Sequence, residues 1–534
     1  MFRRALPPAL GALGFALWVA LTAPGIPAML LGLGVLVIVP LGVSTRIAWL
    51  ALVCGVPLIA ALGMPQGTLA GMLAVPWLML TIGLAVAGMG RILRRGGQEP
   101  SELCVDTGHV LVLVGGSWAL LDRLGVRPWD YDPLLVQLTA VHFHFAGFAL
   151  PLLAGMVGRQ RPGGTPRWIV TGILAGMPLV AGGLLISQIT GWHGGEWLPS
   201  WLLAAAGMGV AGCQIAEAWR RPSIRSLLLA LSGGALLVGM FMAGSWGLAR
   251  AWGLPWPTMI DMFKLHGLLN AFGFSLLGLL ARFGDTDAAP LPSPPLQHLK
   301  GRGATIGRGW FAAQGLTDSN ATPPPGQLDR LEDLASPEFD AALVDPDIRH
   351  FYEHTDQYAL LVRPRWAPLI APLARLIVAG AGRVGQLVLP LDTGDWQRVE
   401  VEMLAAAPQD GPSNLRLYER HYADGRAMFI AAYATLRRGD RGWLAVALPL
   451  PCACIVSVMA MENLPDGGIR LRTRPAVGGD EAGFYLSTPL VTIRLPGHED
   501  LRVMRGEDGL IAQHRVAVFG LTVMVMDYRL PHIA

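Results

Sequence analysis

Ten stretches of nearly uninterrupted apolar sequence constrain this chain more than anything else in it. They lie near 7–23, 26–43, 47–63, 68–90, 107–121, 134–157, 167–187, 199–217, 226–249 and 258–281. A bilayer core of about 30 Å takes about 20 helical residues to cross, and backbone groups inside it must find partners within the segment. Residues 1–283 therefore read as an α-helical polytopic membrane bundle of about ten spans. The first stretch follows Arg3 and Arg4 and lacks a small residue three places before a cut after Ala23. It reads as an uncleaved span rather than a signal peptide.

The charges divide the chain in two. Residues 1–283 carry 17 Lys/Arg and 9 Asp/Glu, and the remainder carries 24 and 29. The small net charge of +3 thus conceals a basic membrane half and an acidic half with a soluble composition. Neither half has the clustered basic surface of a nucleic-acid binder. With a cytoplasmic N-terminus, alternate loops place Arg3, Arg4, Arg46, Arg91, Arg94, Arg95, Arg159, Arg161, Arg167, Arg220, Arg221, Arg225 and Arg282 on one side. Only Arg123, Arg127 and Arg250 fall on the other. This positive-inside bias predicts a multi-pass protein of the bacterial inner membrane, with both ends and the C-terminal domain in the cytoplasm.

Three histidines interrupt the apolar scaffold, in Val141-His142-Phe143-His144-Phe145-Ala146-Gly147 and in Lys264-Leu265-His266-Gly267-Leu268-Leu269-Asn270. Ionisable groups at membrane depth are costly and point to function. His142 and His144 lie 17 and 15 residues before Arg159, and His266 lies 16 before Arg282. At 1.5 Å per residue all three share a layer roughly 24 Å above the cytoplasmic arginines. Asp261, Lys264 and Gln137 lie at or just above that layer, and Asn270 is one turn from His266. His142 and His144 sit about 200° apart on a helix and face opposite ways. At most one of them shares a site with His266, whose ring Asn270 is placed to orient. Asp261 and Lys264, three residues apart, are spaced to pair with each other. The plain alternative for all of these groups is hydrogen bonding between helices.

The run His142-Phe143-His144-Phe145 resembles the His-Phe-His-Tyr run of terminal-oxidase catalytic subunits, but the remaining metal-ligand pattern of that family is missing. As a whole the chain resembles the YndJ-like family of bacterial membrane proteins. The resemblance rests on His142–Gly147 within 138–155, on 266–274, and on three runs further along. Those are Phe351-Tyr352-Glu353-His354-Thr355, residues 415–433 and Leu448-Pro449-Leu450-Pro451. It implies a polytopic membrane protein with a C-terminal extramembrane domain, sometimes labelled a transporter, and it supplies no substrate or catalytic residue.

Other membrane features read as structural. Gly172-x-x-x-Gly176 suits close helix packing, Gln214 and Glu217 lie near a cytoplasmic helix end, and His193 and Glu196 sit in an aromatic outer loop. Residues 284–330, rich in Pro and Gly, read as an extended linker with a basic patch at Gly301–Arg308. Residues 331–534 read as a cytoplasmic α+β domain with a mainly antiparallel sheet. Helical pattern covers 331–355 and 366–380, and period-two alternation runs from 397 to 528. Asp424-Gly425 and Asp466-Gly467-Gly468 mark hairpin turns. Such a curved sheet or partial barrel is a frequent container for apolar ligands.

Enzyme signatures fail on context. Gly380-x-Gly382-x-x-Gly385 has the dinucleotide spacing, but Pro390 cuts off the helix that would have to follow. Cys452 and Cys454 lack the second ligand pair of a zinc site, and the five cysteines suit a reduced compartment. His354 is the best candidate in this half. The leading expectation is a transporter-like protein in lipid rather than an enzyme. Its small ligand, ion or proton site is built from His142, His144, His266, Asn270, Asp261, Lys264 and Gln137. The cytoplasmic domain would then regulate it or bind a protein partner. The first alternative is a redox protein with haem or a transition metal on His266 and either His142 or His144. The second is a sensor signalling to its cytoplasmic domain.

Overall fold

The computed structural model describes residues 2–97, 99–160, 167–220, 222–285, 291–301, 303, 305–391, 394–408, 412, 414–475 and 481–533. Arg161, Arg221 and Arg302, counted above among the basic residues, lie outside the described residues. The chain separates into two compact units, Met1–Ile92 with Gly97–Pro290, and Leu93–Gly96 with Leu291–Ala534.

The first unit is helical throughout. Its long helices are α1 (Phe2–Thr22), α2 (Ile26–Gly42), α3 (Thr45–Leu62), α4 (Thr68–Arg95), α5 (Pro100–Leu124), α6 (Pro133–Arg159), α7 (Arg167–Thr190), α8 (Trp197–Ala218), α9 (Ile224–Trp252) and α10 (Met259–Ala281). Among the described residues nine are long and apolar enough to cross a membrane, and α2 is shorter. The ends follow local chemistry. The Asp132 side chain accepts from Leu134 N to cap α6, Ser223 caps α9, and left-handed glycines close α5 (Gly125, φ 73°) and α9 (Gly253, φ 65°). These caps satisfy backbone groups that the first and last turns leave open.

Small residues bring the helices together. A Cβ on Gly172 would stand 2.6 Å from Ala206 Cβ, and one on Gly176 2.8 Å from Leu203 Cβ, so this pair seats α7 against α8. Three helices are not regular. α2 is π-helical over Gly34–Ile38, α6 over Phe145–Ala149, and α10 over Met262–Gly267 and Leu269–Leu276. Insertions of this kind widen a turn and frequently accompany functional sites. Here they adjoin the histidine-bearing runs.

Among its described residues the second unit has two helices longer than a single turn, α11 (Pro346–Glu353) and α12 (Ala371–Val384). Its strands are β1 (Leu360–Trp366), β2 (Gln397–Ala405), β3 (Arg416–His421), β4 (Ala427–Arg438), β5 (Arg441–Leu450) and β6 (Ala453–Asn463). They continue as β7 (Ile469–Arg472), β8 (Gly483–Ser487), β9 (Thr492–Arg494), β10 (Gly497–Gly506), β11 (Gly509–Val518) and β12 (Leu521–Leu530). All their pairings are antiparallel. The order β5-β4-β3-β2-β1-β12-β11-β10-β7-β6 closes on itself through a β5–β6 pairing, with β8 and β9 appended beside β6. Ten strands thus form a ring, and ring closure removes the exposed sheet edges.

Alternation along the strands sorts the side chains. Tyr418, Met428, Tyr433, Leu444, Val446 and Met459 belong to an inner cluster. Leu417, Ile430, Ala432, Ala445, Ala447 and Val456 belong to an outer one. The outer cluster is covered by Leu296, Leu299, Ile306, Trp310 and Phe311. Residues 291–330, expected to be linker, are therefore partly packed onto the barrel. Prolines keep this chain extended without requiring a sheet ladder, and its apolar residues find the outer face. Gly301 N donates to Leu450 O at 2.8 Å and Gly303 N to Pro451 O at 2.7 Å, which pins the basic patch.

Other expectations shift for local reasons. The helical pattern of 331–355 resolves into single 3₁₀ turns at Leu331–Leu334 and Ala341–Leu343 before α11, because Pro337 and the capping Asp340 and Asp345 interrupt it. The strand β1 was not foreseen because Pro364 lies inside it. Pairing with β2 ends at Val362 while that with β12 continues to Trp366, so Pro364 sits where β1 has become an edge. The last stretch of the alternation, residues 510–528, is a hairpin turning at Phe519-Gly520 (Gly520 φ 81°). Gly385 is the left-handed cap at the end of α12, the opposite of the helix start that a dinucleotide loop requires.

Candidate functional site

The three membrane histidines fall into two settings. His144 is fully buried in α6, stacked on Trp77 of α4 with ring centroids 5.7 Å apart. Trp77 Nε1 donates to His144 Nε2 at 3.0 Å, so Nδ1 carries the proton and donates to Ala140 O at 2.7 Å. Two glycines make the room. A Cβ on Gly34 would lie 3.0 Å from His144 Cβ, and one on Gly115 2.8 Å from its Nδ1. Both ring nitrogens are occupied, which leaves none for a metal or haem. His144 is a neutral pin between helices.

His142, two residues earlier, keeps open surface on the other side of α6. It lies close enough to His266 of α10 for their charges to interact. His266 Nδ1 donates to Gly239 O of α9 at 2.8 Å, and Asn270 Nδ2 donates to His266 O at 2.9 Å. Asn270 Nδ2 also stands 3.2 Å from His266 Nδ1. With Nδ1 committed, Nε2 of His266 presents a lone pair. Asn270 is buried and its Oδ1 has no hydrogen-bond partner. Helices α9 and α10 thus bring together an imidazole, a carbonyl and an unsatisfied amide oxygen, with the His142 imidazole of α6 within electrostatic range. This set suits a proton, a cation or a hydrogen-bonding ligand.

The remaining expected site residues stand elsewhere. Asp261 does not pair with Lys264. Its carboxylate accepts from Thr258 Oγ1 at 2.7 Å and Thr258 N at 2.9 Å, and Thr258 Oγ1 accepts from Asp261 N, forming a capping box at the start of α10. A cap satisfies backbone donors that would otherwise be open, and it competes successfully with an exposed lysine. Lys264 is exposed and Gln137 half-buried, and neither is joined to the histidines by a hydrogen bond among the described residues.

Ion pairs and hydrogen bonds tie the helices together away from this layer. Arg159 Nη2 and Nε grip Glu102 at 2.9 and 2.5 Å, Arg91 pairs with Asp106, and Arg282 Nη2 meets Glu217 at 2.6 Å. Ser232 Oγ donates toward both Phe274 O (2.9 Å) and Gln214 Oε1 (3.2 Å). In the loop between α7 and α8 His193 Nδ1 lies 2.9 Å from Glu196 Oε1 and from Arg250 Nη2. These contacts engage Gln214, Glu217, His193 and Glu196, which the sequence reads as structural.

In the second unit His354 joins a ring cluster with His350 (4.7 Å), which contacts Tyr358 and His532. Cys452 is exposed while burial pushes the Cys454 thiol up to about 12, so the two do not act as a pair. One group that the sequence reading passed over is Glu402, Glu419 and His421, whose ligand atoms lie within 4.8 Å of one another. The cross-strand register places Glu402 opposite Glu419, with His421 two residues further along the same face. His421 Nε2 is 3.1 Å from Glu419 Oε2, and Gly309 N donates to the same oxygen at 3.0 Å. The buried carboxylate is thus held by an imidazole and an amide. The alternation in Leu417-Tyr418-Glu419-Arg420-His421 was the available signal, since it sends Tyr418 and Arg420 to the opposite, inner face.

Fold and site together define the class. This is a polytopic membrane protein with histidines inside its helical bundle and an antiparallel barrel domain at its C-terminal end. Residues 29–274 match the family model for YndJ-like protein, a span that includes His142, His144, His266 and Asn270. The chain is also 26% identical over 479 residues to the "Uncharacterized membrane protein YndJ" of Bacillus subtilis (strain 168), covering 87% of this chain and 84% of that protein. This similarity to YndJ-like proteins is the one that the histidine runs and the C-terminal motifs led us to expect. No solved structure matches it.

Proposed function

We propose that this chain is a transporter-like protein of the inner membrane whose small ligand, ion or proton is bound between His142 and His266. One observation carries the reading: His266, held on the α9 backbone, stands beside the buried, unsatisfied Oδ1 of Asn270, with the exposed imidazole of His142 within electrostatic range. Polar groups of this kind persist at membrane depth where a pathway or binding site uses them. The π-helical turns on both histidine-bearing helices support the same reading, because they loosen the backbone beside the site.

The full topology belongs to this proposal. α2 rises about 25 Å at 1.5 Å per residue, nearly a core thickness, and is taken as the tenth span. The count is then even, arginine-rich loops face the cytoplasm, and the C-terminal domain is cytoplasmic and regulatory. The site lies in the outer third of the bilayer.

Proteoliposomes holding a pH-sensitive or a zinc-sensitive dye test the reading. Wild-type protein should pass protons or Zn²⁺, the two simplest imidazole ligands, and His142→Ala and His266→Ala should each lower that flux tenfold or more. Absence of both fluxes from wild type, or flux undiminished in both variants, contradicts it.

A further inference from the structure

The barrel encloses a cavity of about 460 Å³, within the range of small-molecule sites. Leu444, Val446, Leu448, Met459, Val503 and Met526 give it an apolar wall, as inward alternation from ring-closed strands requires. One arginine faces this wall. The Arg420 guanidinium lies 4.7 Å from the ring centre of Tyr418, 5.0 Å from that of Phe429 and 5.9 Å from that of Tyr528. Its Nε has no hydrogen-bond partner, and no ion pair to a carboxylate is found for it among the described residues. The one carboxylate lining the cavity, Glu499, stands 3.8 Å from Nε2 of His514. Burial pushes the pKa of that imidazole below its ordinary value, with Glu499 acting against the shift.

Aromatic faces solvate a guanidinium partly. They do not replace a counter-ion, and an enclosed charge without one is costly. A neutral apolar ligand would leave that cost in place, and a small polar ligand would forgo the apolar wall. We infer that the barrel binds an amphiphile with one acyl chain and an anionic head, the head on Arg420 and the chain along the apolar wall. A guanidinium fork matches carboxylate and phosphate oxygens, so a long-chain carboxylate and a monoacyl phosphate lipid share the required chemistry. The mouth fits such a ligand. Ile377, Ala381 and Val384 of α12 line the cavity, while Leu373 and Leu376 of the same helix are exposed. An apolar rim of this kind suits loading from a bilayer surface. The inference is independent of the histidine site.

The test uses the full chain in phosphatidylcholine nanodiscs, irradiated with a diazirine-bearing palmitate and mapped by peptide mass spectrometry. Wild-type protein should carry label on β5 and β12. Excess oleate or lysophosphatidate should remove that label tenfold or more, and the better competitor identifies the source. Oleyl alcohol, with the same chain and no charge, should leave it in place. Arg420→Leu should lower barrel labelling about tenfold while label on α1–α10 is unchanged, and Arg420→Lys should restore part of it. Met459→Trp, which narrows the cavity and keeps the arginine, should lower it several-fold and serves as the decisive variant if Arg420→Leu fails to fold. Absence of barrel label, equal competition by oleyl alcohol, or full labelling of Met459→Trp overturns the inference.

Discussion

Two histidines separated by a single residue do different work, and the difference lies in what each nitrogen meets. His144 has a tryptophan N–H on one nitrogen and a carbonyl on the other, within a slot cut by Gly34 and Gly115. His142 has open surface and a second imidazole nearby. His144→Ala should therefore destabilise the bundle by about 2–3 kcal/mol, from two buried hydrogen bonds and the space left behind. His142→Ala should change stability little. Denaturant titration of both variants in one detergent checks the contrast, and equal losses would contradict it. The sequence showed that the two side chains diverge, because a helix advances about 200° over two residues. It did not show which one faces His266, since that depends on how α4, α6 and α10 pack. Nor did it show that Asp261 prefers Thr258 to Lys264. A capping threonine three residues upstream is visible in the sequence, but its precedence over a charge pair becomes clear only once the helix start is located.

At the scale of elements, apolar length and turn chemistry made most helices and strands legible. Residues 134–157 and 258–281 were placed on the helices now seen as α6 and α10. Their π-helical turns were not legible, because one extra residue in a turn leaves hydropathy unchanged and arises from packing against neighbours. β1 was hidden by Pro364, and the turn at Phe519-Gly520 by apolar residues on both sides of it. The short helix α2 bears most on the topology. If it crosses, residues 23 and 44 emerge on opposite faces. In a background with Cys54, Cys104, Cys213, Cys452 and Cys454 replaced by Ser, Ala23→Cys should react with an impermeant maleimide added outside intact cells. Ser44→Cys should react only after the membrane is opened. Labelling of both from one side would remove the tenth span and reverse the orientation of everything after it.

For the whole molecule, the charge distribution separates an apolar half from a more charged one, and two compact units divide close to that boundary, whereas closure of the barrel was not legible. Alternation reports which residues share a face. It does not report that β1 pairs with β12, or that β6 bridges β5 and β7, since such partners are joined only through the global fold. The Arg420 cavity was illegible for the same reason, being defined by residues from almost every strand of the ring. Of the seven residues expected to share a membrane site, His266 and Asn270 are hydrogen-bonded to each other, His142 lies within electrostatic range of His266, and His144 and Asp261 are engaged by Trp77 and Thr258. The central claim is that His142 and His266 form the working pair of the bundle. Diethylpyrocarbonate applied from the outer face of intact membrane vesicles, followed by peptide mass spectrometry, tests it on the unmodified chain. The account predicts that His142 and His266 are carbethoxylated together while His144 stays protected. Modification of His144 as fast as His142 would contradict it, as would protection of His142 and His266 alike.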